Sequence, residues 1–338
     1  MKRILAIESS CDETSAAVVD CSDVFDVKAN IIASQIELHK LYGGVVPEIA
    51  SRKHIECISQ VVEEALLEAN SKLDDIDAIA VTYAPGLVGA LLVGVNYAKS
   101  LSFALKKPLI PVHHIEGHIC ANYISSKSLK PPFVCLVASG GHSTIAKVTD
   151  YNNYSVIART RDDAAGEAFD KVSRVLGLGY PGGPAIQQAA KNGRSDAFKF
   201  PRVQINDSLD FSFSGVKTSV INLIHNLEQK GQEIPINDIA ASFQTAVCEV
   251  LAKRLIDIAK NEGVENIALA GGVAANSLLR EITEDLAKIN KLKLHYPPLI
   301  LCTDNAAMIA VRGYHLLLNG SVAKTDLNAV ATRDIGVS

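Results

Sequence analysis

Residues 4–19 read ILAIESSCDETSAAVV, an apolar strand, a short loop of hydroxyl and acidic residues, and a second β-rich run. The same order recurs in VCLVASGGHSTIAKV at residues 134–148. Two such hairpins, one at the head of each half, favour a duplicated fold with two lobes and a cleft between them. Any two β-hairpins look alike at this level, so a chance similarity remains open.

Around these hairpins, strand-like and helix-like stretches alternate. DAIAVTY at 77–83 and PLIPVH at 108–113 have the apolar character of strands, whereas HIECISQVVEEALLEAN at 54–70 has helical spacing. This alternation predicts an α/β fold with sheets covered by helices. We predict an N-terminal lobe (1–112), a C-terminal lobe (113–303), and a C-terminal helix and tail (304–338) that packs back toward the N-terminal lobe.

The composition is that of a soluble globular protein. Of 338 residues, 48% are hydrophobic and 21% charged, and no apolar run reaches the roughly 18 uncharged residues of a membrane span. The apolar stretch Ile4–Ile7 is too short for a signal peptide, so we expect a cytoplasmic protein without membrane contact. Seven cysteines without CxxC spacing argue against disulfides and a zinc ribbon. A net charge of −4 requires a local basic patch or a partner for any nucleic-acid contact.

HIEGH at residues 114–118 is a possible metal-binding motif. In a helix, His114 and His118 would point the same way and supply two ligands to one ion. A zincin-type protease has its general base directly after the first histidine, but Ile115 stands there and Glu116 projects from another face. For an isolated pair, two hydrogen-bonded interior histidines are the simpler explanation.

Asp304 is the candidate for a third ligand. It ends the run LILCTD at residues 299–304, immediately before a helix-like segment, where an N-cap role would also explain it. Two histidines and one carboxylate leave coordination positions open, which suits iron(II) or zinc(II) acting on an oxygen-bearing substrate.

Small residues directly follow a strand at three places: Glu8–Ser10, Ser139–Gly141 and Ala270–Gly272. Such loops let backbone N–H groups approach a phosphate. None is a Walker A or GxGxxG fingerprint, so each one singly is explained as well by a tight turn. GYPGGPAI at 179–186 is a further glycine-rich loop, and GEAFDK at 166–171 offers polar groups for a nucleotide.

Ten ordered motifs resemble the TsaD family, formerly called glycoproteases, in its bacterial or organellar branch. These motifs span nearly the whole chain: ESSCDET (8–14), YGGVVPEIASRKH (42–54), APGLVGALLVG (84–94), HHIEGH (113–118), ASGGHS (138–143), GEAFDK (166–171), YPGGPAI (180–186), FSFSGVKT (211–218), AGGVAAN (270–276) and CTDNAAMIA (302–310).

The resemblance implies an ASKHA fold, the two-lobed fold of actin, Hsp70 and sugar kinases, with duplicated mixed sheets and a nucleotide cleft. It implies an enzyme that transfers the threonylcarbamoyl group from threonylcarbamoyl-AMP to N6 of adenosine 37 in tRNAs reading codons that begin with A. One divalent metal, iron(II) before zinc(II), would be held by His114, His118 and Asp304.

The resemblance also assigns substrate contacts. Glu13 would be a catalytic carboxylate near the phosphate and metal. The adenylate would be held by Val137, Ala138, Ser139, Gly140, Gly141, Asp170, Gly183 and Asn276. Gln187 departs from the family, in which an aspartate is common at that position.

Partners follow from the same resemblance: a TsaB-like paralogue that pairs through helices of the first lobe and a TsaE-like ATPase in bacteria, or a homodimer in organelles. A TsaC-like enzyme would make the donor. Three alternatives remain at this level: a metalloprotease, an ATP-dependent small-molecule kinase or ATPase of the same fold, and a nucleotide-binding scaffold without chemistry.

Overall fold

The computed structural model of the chain describes residues 1–202 and 208–336, which form two compact units. The first unit contains Met1–Pro131, Thr149–Tyr154 and Tyr296–Ser338, and the second contains Pro132–Val148 and Ser155–His295. The first unit thus extends beyond residue 112, where the sequence analysis placed a boundary. The helix after His113 stays in this unit because it packs against the C-terminal helix.

The first unit is built on a mixed five-stranded sheet. Its strands are β1 (Lys2–Glu8), β2 (Glu13–Cys21), β3 (Phe25–Ser34), β4 (Ala78–Ala84) and β5 (Leu109–His113). The order across the sheet is β3-β2-β1-β4-β5. The pairs β1–β2 and β2–β3 are antiparallel, whereas β1–β4 and β4–β5 are parallel.

Helices cover both faces of this sheet. They are α1 (Ile36–Lys40), α2 (Pro47–Glu68), α3 (Val88–Leu105), α4 (His114–Ser125) and α10 (Ala306–Leu318), with 3-10 turns at Leu73–Asp75 and Leu299–Leu301. Because side chains alternate along a strand, Leu5 and Ile7 pack on the side of α2 and α3, and Ile4 and Ala6 on the side of α10. The central run Ile4–Ile7 of β1 is therefore apolar at every position, as the sequence indicated.

The second unit has a second mixed five-stranded sheet. Its strands are β6 (Phe133–Ala138), β7 (Ser143–Val148), β8 (Tyr154–Arg159), β9 (Asn266–Ala270) and β10 (Lys293–His295), in the order β10-β9-β6-β7-β8. Its helices are α5 (Ala165–Val175), α6 (Gly182–Ala190), α7 (Ser214–Gln229), α8 (Ile236–Asn261) and α9 (Ser277–Ile289), with a 3-10 turn at Gly272–Ala275.

The two sheets repeat one connectivity. In the first, β1 pairs antiparallel with β2 and parallel with β4; in the second, β6 pairs antiparallel with β7 and parallel with β9. Each hairpin quoted from the sequence is therefore the start of its own sheet. The predicted duplication is confirmed, and chance similarity of two hairpins no longer explains it.

By its length and apolar composition alone, helix α3 could cross a membrane. In the structure 28% of its residues are buried. Lys99 interrupts the stretch, so α3 is not an uncharged apolar run. Leu91, Val95 and Ala98 are buried, and the helix packs on β4 and α2. This packing accounts for the apolar residues on the buried face of α3.

Candidate metal and nucleotide sites

The first unit brings His114, His118 and Asp304 together. One ligand atom of each residue lies within 4.8 Å of the others. Nε2 of His118 is 3.1 Å, and Nε2 of His114 is 3.5 Å, from Oδ1 of Asp304. The two imidazole rings meet edge to face with their centroids 4.6 Å apart. The geometry is that of three groups that converge on one point.

Local structure explains this convergence. Strand β5 ends at His113, and α4 begins at the next residue, so His114 and His118 stand one helical turn apart on the same face. The N-cap of α10 is Asn305, whose side chain accepts a hydrogen bond from Met308 N at 3.0 Å. The capping role considered for Asp304 is therefore filled by its neighbour.

Glu8 lies directly behind His114, and the sequence analysis did not assign it a role there. Oε2 of Glu8 is 3.0 Å from Nδ1 of His114 and accepts a hydrogen bond from the Thr82 hydroxyl at 2.6 Å. Oε1 accepts from Ser10 N at 2.5 Å. The signal available in the sequence was a glutamate directly after the apolar run Ile4–Ile7, and the structure shows that this glutamate is fully buried. Its contacts leave Nε2 of His114 facing Asp304.

The cluster shifts the protonation of its members. Although burial opposes it, the charges of Asp304 and Glu8 raise the pKa of His114 to about 9. Burial lowers the pKa of His118. Burial also opposes ionisation of Glu8, yet the charge of His114 holds its pKa below the ordinary value. Without a metal, His114 and Glu8 thus form a charged pair.

Glu13, the predicted catalytic residue, begins β2. Burial, followed by the charges of Asp304 and Asp12, raises the pKa of Glu13 to about 8. In the part of the chain that the structure describes, its Oε2 atom is buried without a hydrogen-bond partner. A carboxyl group with a pKa near neutrality can accept or hold a proton at working pH.

The residues present fit a divalent metal. Two imidazole nitrogens and one carboxylate oxygen converge, and His114 can donate its second ring N–H to a buried carboxylate, the usual support of a metal-bound histidine. The arrangement leaves coordination positions open, as the sequence analysis expected of this ligand set.

Glu116, the glutamate of HIEGH, has other partners. Arg312 donates to its Oε2 at 2.7 Å, and Gly336 N donates to its Oε1 at 3.1 Å. This carboxylate is therefore engaged on the side of α4 away from the two histidines, and the geometry opposes a protease mechanism with Glu116 as the base.

The second unit places five of the predicted adenylate residues at the end of β6. Val137 and Ala138 end this strand, and Ser139, Gly140 and Gly141 form the turn into β7. A Cβ on Gly166, in the first turn of α5, would lie 2.5 Å from Ser139 O, and one on Gly271 would lie 2.4 Å from Ala138 O. The start of α5 and the loop after β9 thus both touch the β6 end.

The other predicted adenylate residues are Asp170 in α5, Gly183 at the start of α6 and Asn276 directly before α9. Asp170 accepts a hydrogen bond from Gly182 N at 2.7 Å, next to Gly183. Asn276 caps α9 by accepting from Leu279 N at 3.1 Å. Gln187 Oε1 accepts a hydrogen bond from Ser277 N at 2.8 Å, so Gln187 joins α6 to α9. Backbone N–H groups of these loops and helix starts could hold a phosphate-bearing ligand.

A protein-family model and two similar bacterial enzymes, all with the same name, match this chain. The sequence model of the family described as TsaD, tRNA N6-adenosine threonylcarbamoyltransferase, matches residues 26–311. The enzyme of that name from Clostridium novyi (strain NT) is 58% identical over 336 residues, 99% of this chain and 98% of the relative. The one from Clostridium botulinum (strain Kyoto / Type A2) is 58% identical over 334 residues, 98% of each chain.

Solved structures share the fold at low identity. Full-length HypF in its phosphate- and nucleotide-bound form aligns with a TM-score of 0.62 and 15% identity over 95% of this chain and 47% of that one. Component A of (R)-2-hydroxyglutaryl-CoA dehydratase from Acidaminococcus fermentans aligns with a TM-score of 0.54 and 16% identity over 93% and 98%. These similarities concern the fold alone, and they confirm the predicted ASKHA fold class.

Proposed function

The chain belongs to the TsaD family of tRNA N6-adenosine threonylcarbamoyltransferases, and on this premise we propose that it transfers the threonylcarbamoyl group from threonylcarbamoyl-AMP to N6 of adenosine 37. The substrates are tRNAs that read codons beginning with A. The observation that carries the proposal is the 58% identity over 99% of the chain to an enzyme of that name.

In this proposal one divalent metal, iron(II) before zinc(II), binds His114, His118 and Asp304. The support is the convergence of their ligand atoms and the buried carboxylate behind His114. When bound, such an ion supplies a Lewis acid for oxygen atoms of the substrate. Glu8 fixes the orientation of the His114 imidazole, so that its other ring nitrogen faces Asp304.

The donor is a mixed carbamic–phosphoric anhydride and is already activated, so orientation carries most of the catalysis. In this proposal the adenylate is held by Val137, Ala138, Ser139, Gly140, Gly141, Asp170, Gly183 and Asn276. The exocyclic amine attacks the carbamoyl carbon, the bond to the AMP oxygen breaks, and AMP leaves with the electron pair.

Glu13 accepts the amine proton in this scheme. Its pKa of about 8 lies close to working pH, so a fraction of the carboxyl groups is ionised and able to accept the proton. No nucleophilic serine or cysteine is required. Burial raises the pKa of the Cys11 thiol in the adjoining loop, which keeps it from acting as a thiolate.

The rival functions have less support. A metalloprotease would need a free base in HIEGH, and Arg312 and Gly336 occupy Glu116. A small-molecule kinase or ATPase of the same fold shares the glycine loops but not the end-to-end similarity to transferases. The histidine–aspartate cluster is intact, and this opposes a scaffold without chemistry.

Partners and location complete the proposal. Because the relatives come from bacteria, we propose a TsaB-like paralogue and a TsaE-like ATPase rather than the organellar homodimer. A TsaC-like enzyme supplies the donor, and all act in the cytoplasm. The net charge of −4 supports shared tRNA binding, because one acidic protein alone attracts a polyanion poorly.

The test combines purified protein, threonylcarbamoyl-AMP and unmodified tRNA, with and without the paralogue and ATPase, and detects the modified nucleoside by mass spectrometry. Product that depends on this protein and is lost in His118→Ala supports the proposal. ATP turnover to ADP with a free small acceptor would favour a kinase. Absence of product from the metal-loaded protein with all partners present would overturn the transferase assignment.

A further inference from the structure

Glu116 stands between the two histidines in sequence but faces away from them. We propose that Glu116 is a positioning residue for the metal site: through Arg312 and the C-terminal strap, residues 330–336, it holds α4 and α10 in register. The inference rests on the metal site proposed above and adds residues that touch no ligand of it.

The carboxylate of Glu116 is buried, with 7% of the residue exposed, and Arg312 is 3% exposed. A buried charge is costly unless each of its atoms is paired. Glu116 meets this condition with two different elements, since Oε2 accepts from Arg312 Nε on α10 and Oε1 accepts from Gly336 N on the strap. One side chain of α4 is thus bound to α10 and to the strap at once.

Arg312 is itself held in place. Its guanidinium donates to Tyr151 O at 3.0 Å and to Asn152 Oδ1 at 2.9 Å, and it lies 5.0 Å from the centre of the Tyr154 ring. Contacts on several sides prevent the guanidinium from following Glu116 if α4 moves. Arg312 therefore acts as a fixed anchor for this helix.

The pair connects the two helices on which all three proposed ligands depend. His114 and His118 lie on α4, and Asp304 lies two residues before α10. The helices approach closely beside the pair, because a Cβ on Gly117 would lie 2.7 Å from Cδ1 of Ile309. Rotation or sliding of α4 against α10 would change the present distances of 3.1 and 3.5 Å from the imidazoles to Asp304.

The strap also contacts the start of α4 and the residue before it. Val330 N donates to Tyr83 O at 2.9 Å, and Gly86 N donates to Ala331 O at 3.1 Å. Nε2 of His113 lies 3.1 Å from Arg333 O. The strap thus contacts the residue before the first proposed ligand and, through Gly336, the residue between the two histidines.

A purely stabilising ion pair is the competing explanation, and the chain offers a matched control. Arg3 binds Asp20 through Nε at 2.6 Å and through its second terminal nitrogen at 2.8 Å, and it joins β1 to β2. Arg3 is five residues from Glu8 along β1, roughly 17 Å at the rise of a strand. Loss of this pair should lower stability without reaching the metal ligands.

The experiment uses cobalt(II) as a spectroscopic probe on the metal-free full chain. Dissociation constants and visible absorption spectra are measured for wild type, Glu116→Gln, Asp20→Asn and His118→Ala, at a temperature below all unfolding midpoints. We expect Glu116→Gln to weaken cobalt binding about tenfold and to change the spectrum. Asp20→Asn should lower the unfolding midpoint and leave both cobalt readouts unchanged.

Gly336→Ala is the second variant. With φ of +75° and a Cβ that would lie 2.1 Å from Tyr154 O, an alanine must displace the strap from Glu116 while leaving the ion pair in place. We expect a smaller loss of cobalt affinity, about threefold. This variant gives the test if Glu116→Gln does not fold.

The outcomes separate the two proposals. If His118→Ala loses cobalt while folded Glu116→Gln binds it like wild type, the metal site stands and the positioning role is overturned. If Glu116→Gln does not fold, wild-type cobalt affinity in Gly336→Ala overturns the role equally. If His118→Ala binds cobalt like wild type, the metal site itself is wrong and the inference falls with it.

Discussion

Nδ1 of His114 lies 3.0 Å from Oε2 of Glu8, and both residues are buried. With the Thr82 hydroxyl and Ser10 N also bound to this carboxylate, the imidazole has one orientation, with Nε2 toward Asp304. A histidine that binds a metal usually donates its other N–H to such a group. Glu8 is therefore placed to support the proposed metal site, although it lies 106 residues from His114 in the chain.

Replacement of Glu8 by glutamine should weaken metal binding. The amide keeps the shape of the side chain but removes the charge that supports the imidazole, so we expect affinity to fall about 10- to 100-fold. Cobalt titration of the metal-free protein measures it. Thr82→Val is the control: it removes one donor to Glu8 and keeps the charge, and its effect should be smaller. Equal affinities of Glu8→Gln and wild type would contradict this role.

Metal binding should release about one proton at pH 7.5. Burial lowers the pKa of His114, but the charges of Asp304 and Glu8 outweigh this effect and raise it to about 9. The metal-free imidazole is therefore charged and must lose a proton to become a ligand. Apparent affinity should therefore rise about tenfold per pH unit until about pH 9. Calorimetry in buffers of different ionisation enthalpy counts the protons. No release at pH 7.5 would show that His114 is neutral before binding.

Much of the fold could be predicted from the sequence because the central strands β2, β4 and β6 are buried on both faces. The run from Ile4 to Ile7 is apolar at every position, and the hairpin motif recurs in the second unit. Strand β3 was not predicted, because it is an edge strand in which only Ala29 is fully buried and polar residues interrupt it. Local pattern carries little information where burial is partial.

The candidate site could be predicted only in part. His114, His118 and Asp304 were found because imidazole and carboxylate groups have recognisable metal chemistry and because the motifs resemble a family. Glu8 and Arg312 were not assigned, since nothing in the sequence shows that Arg312 meets Glu116 across 196 residues. Tertiary folding alone creates such pairs, and their residue types are compatible with many other roles.

Two adjacent glycines in the second unit should differ in their tolerance of alanine. Gly271 has φ of +85°, and its Cβ would lie 2.4 Å from Ala138 O, whereas nothing lies within 4 Å of a Cβ on Gly272. We expect Gly271→Ala to lower the free energy of unfolding by about 2–4 kcal/mol and Gly272→Ala by less than about 1 kcal/mol. Urea denaturation measures both. Equal losses would show that the close approach to β6 is not what requires glycine.

Replacement of Gly140 by alanine should weaken AMP binding with little change in the stability of the protein. Its Cβ would meet no atom within 4 Å, so Gly140→Ala should change the free energy of unfolding by less than about 0.5 kcal/mol. If the backbone here approaches the adenylate phosphate, the added methyl group should weaken AMP binding about tenfold. Equilibrium binding of AMP measures this, and urea denaturation of the same variant measures its stability. Unchanged AMP affinity in Gly140→Ala would remove this loop from the adenylate site.

His315 should make the protein less stable in mild acid. It is 8% exposed and stacks on Tyr151 with ring centroids 4.5 Å apart, and in the described residues its Nε2 atom is buried without a partner. Burial, followed by the charge of Arg312, lowers the pKa of His315 from 6.5 to about 4. The unfolded chain then binds a proton at pH values where the folded protein does not.

The sign follows from that difference. Well above pH 6.5 His315 is neutral in both states and contributes no pH dependence. As the pH falls from 6.5 toward 4, protonation favours the unfolded chain, and stability should drop by up to about 3 kcal/mol. His315→Phe keeps the stacking and removes the titration, so its stability should fall less steeply across this window than that of wild type. His225→Phe, at an exposed position, controls for loss of a histidine as such. Denaturant unfolding at intervals between pH 7 and 4 measures the curves, and parallel curves for His315→Phe and wild type would show that this buried imidazole does not govern acid stability.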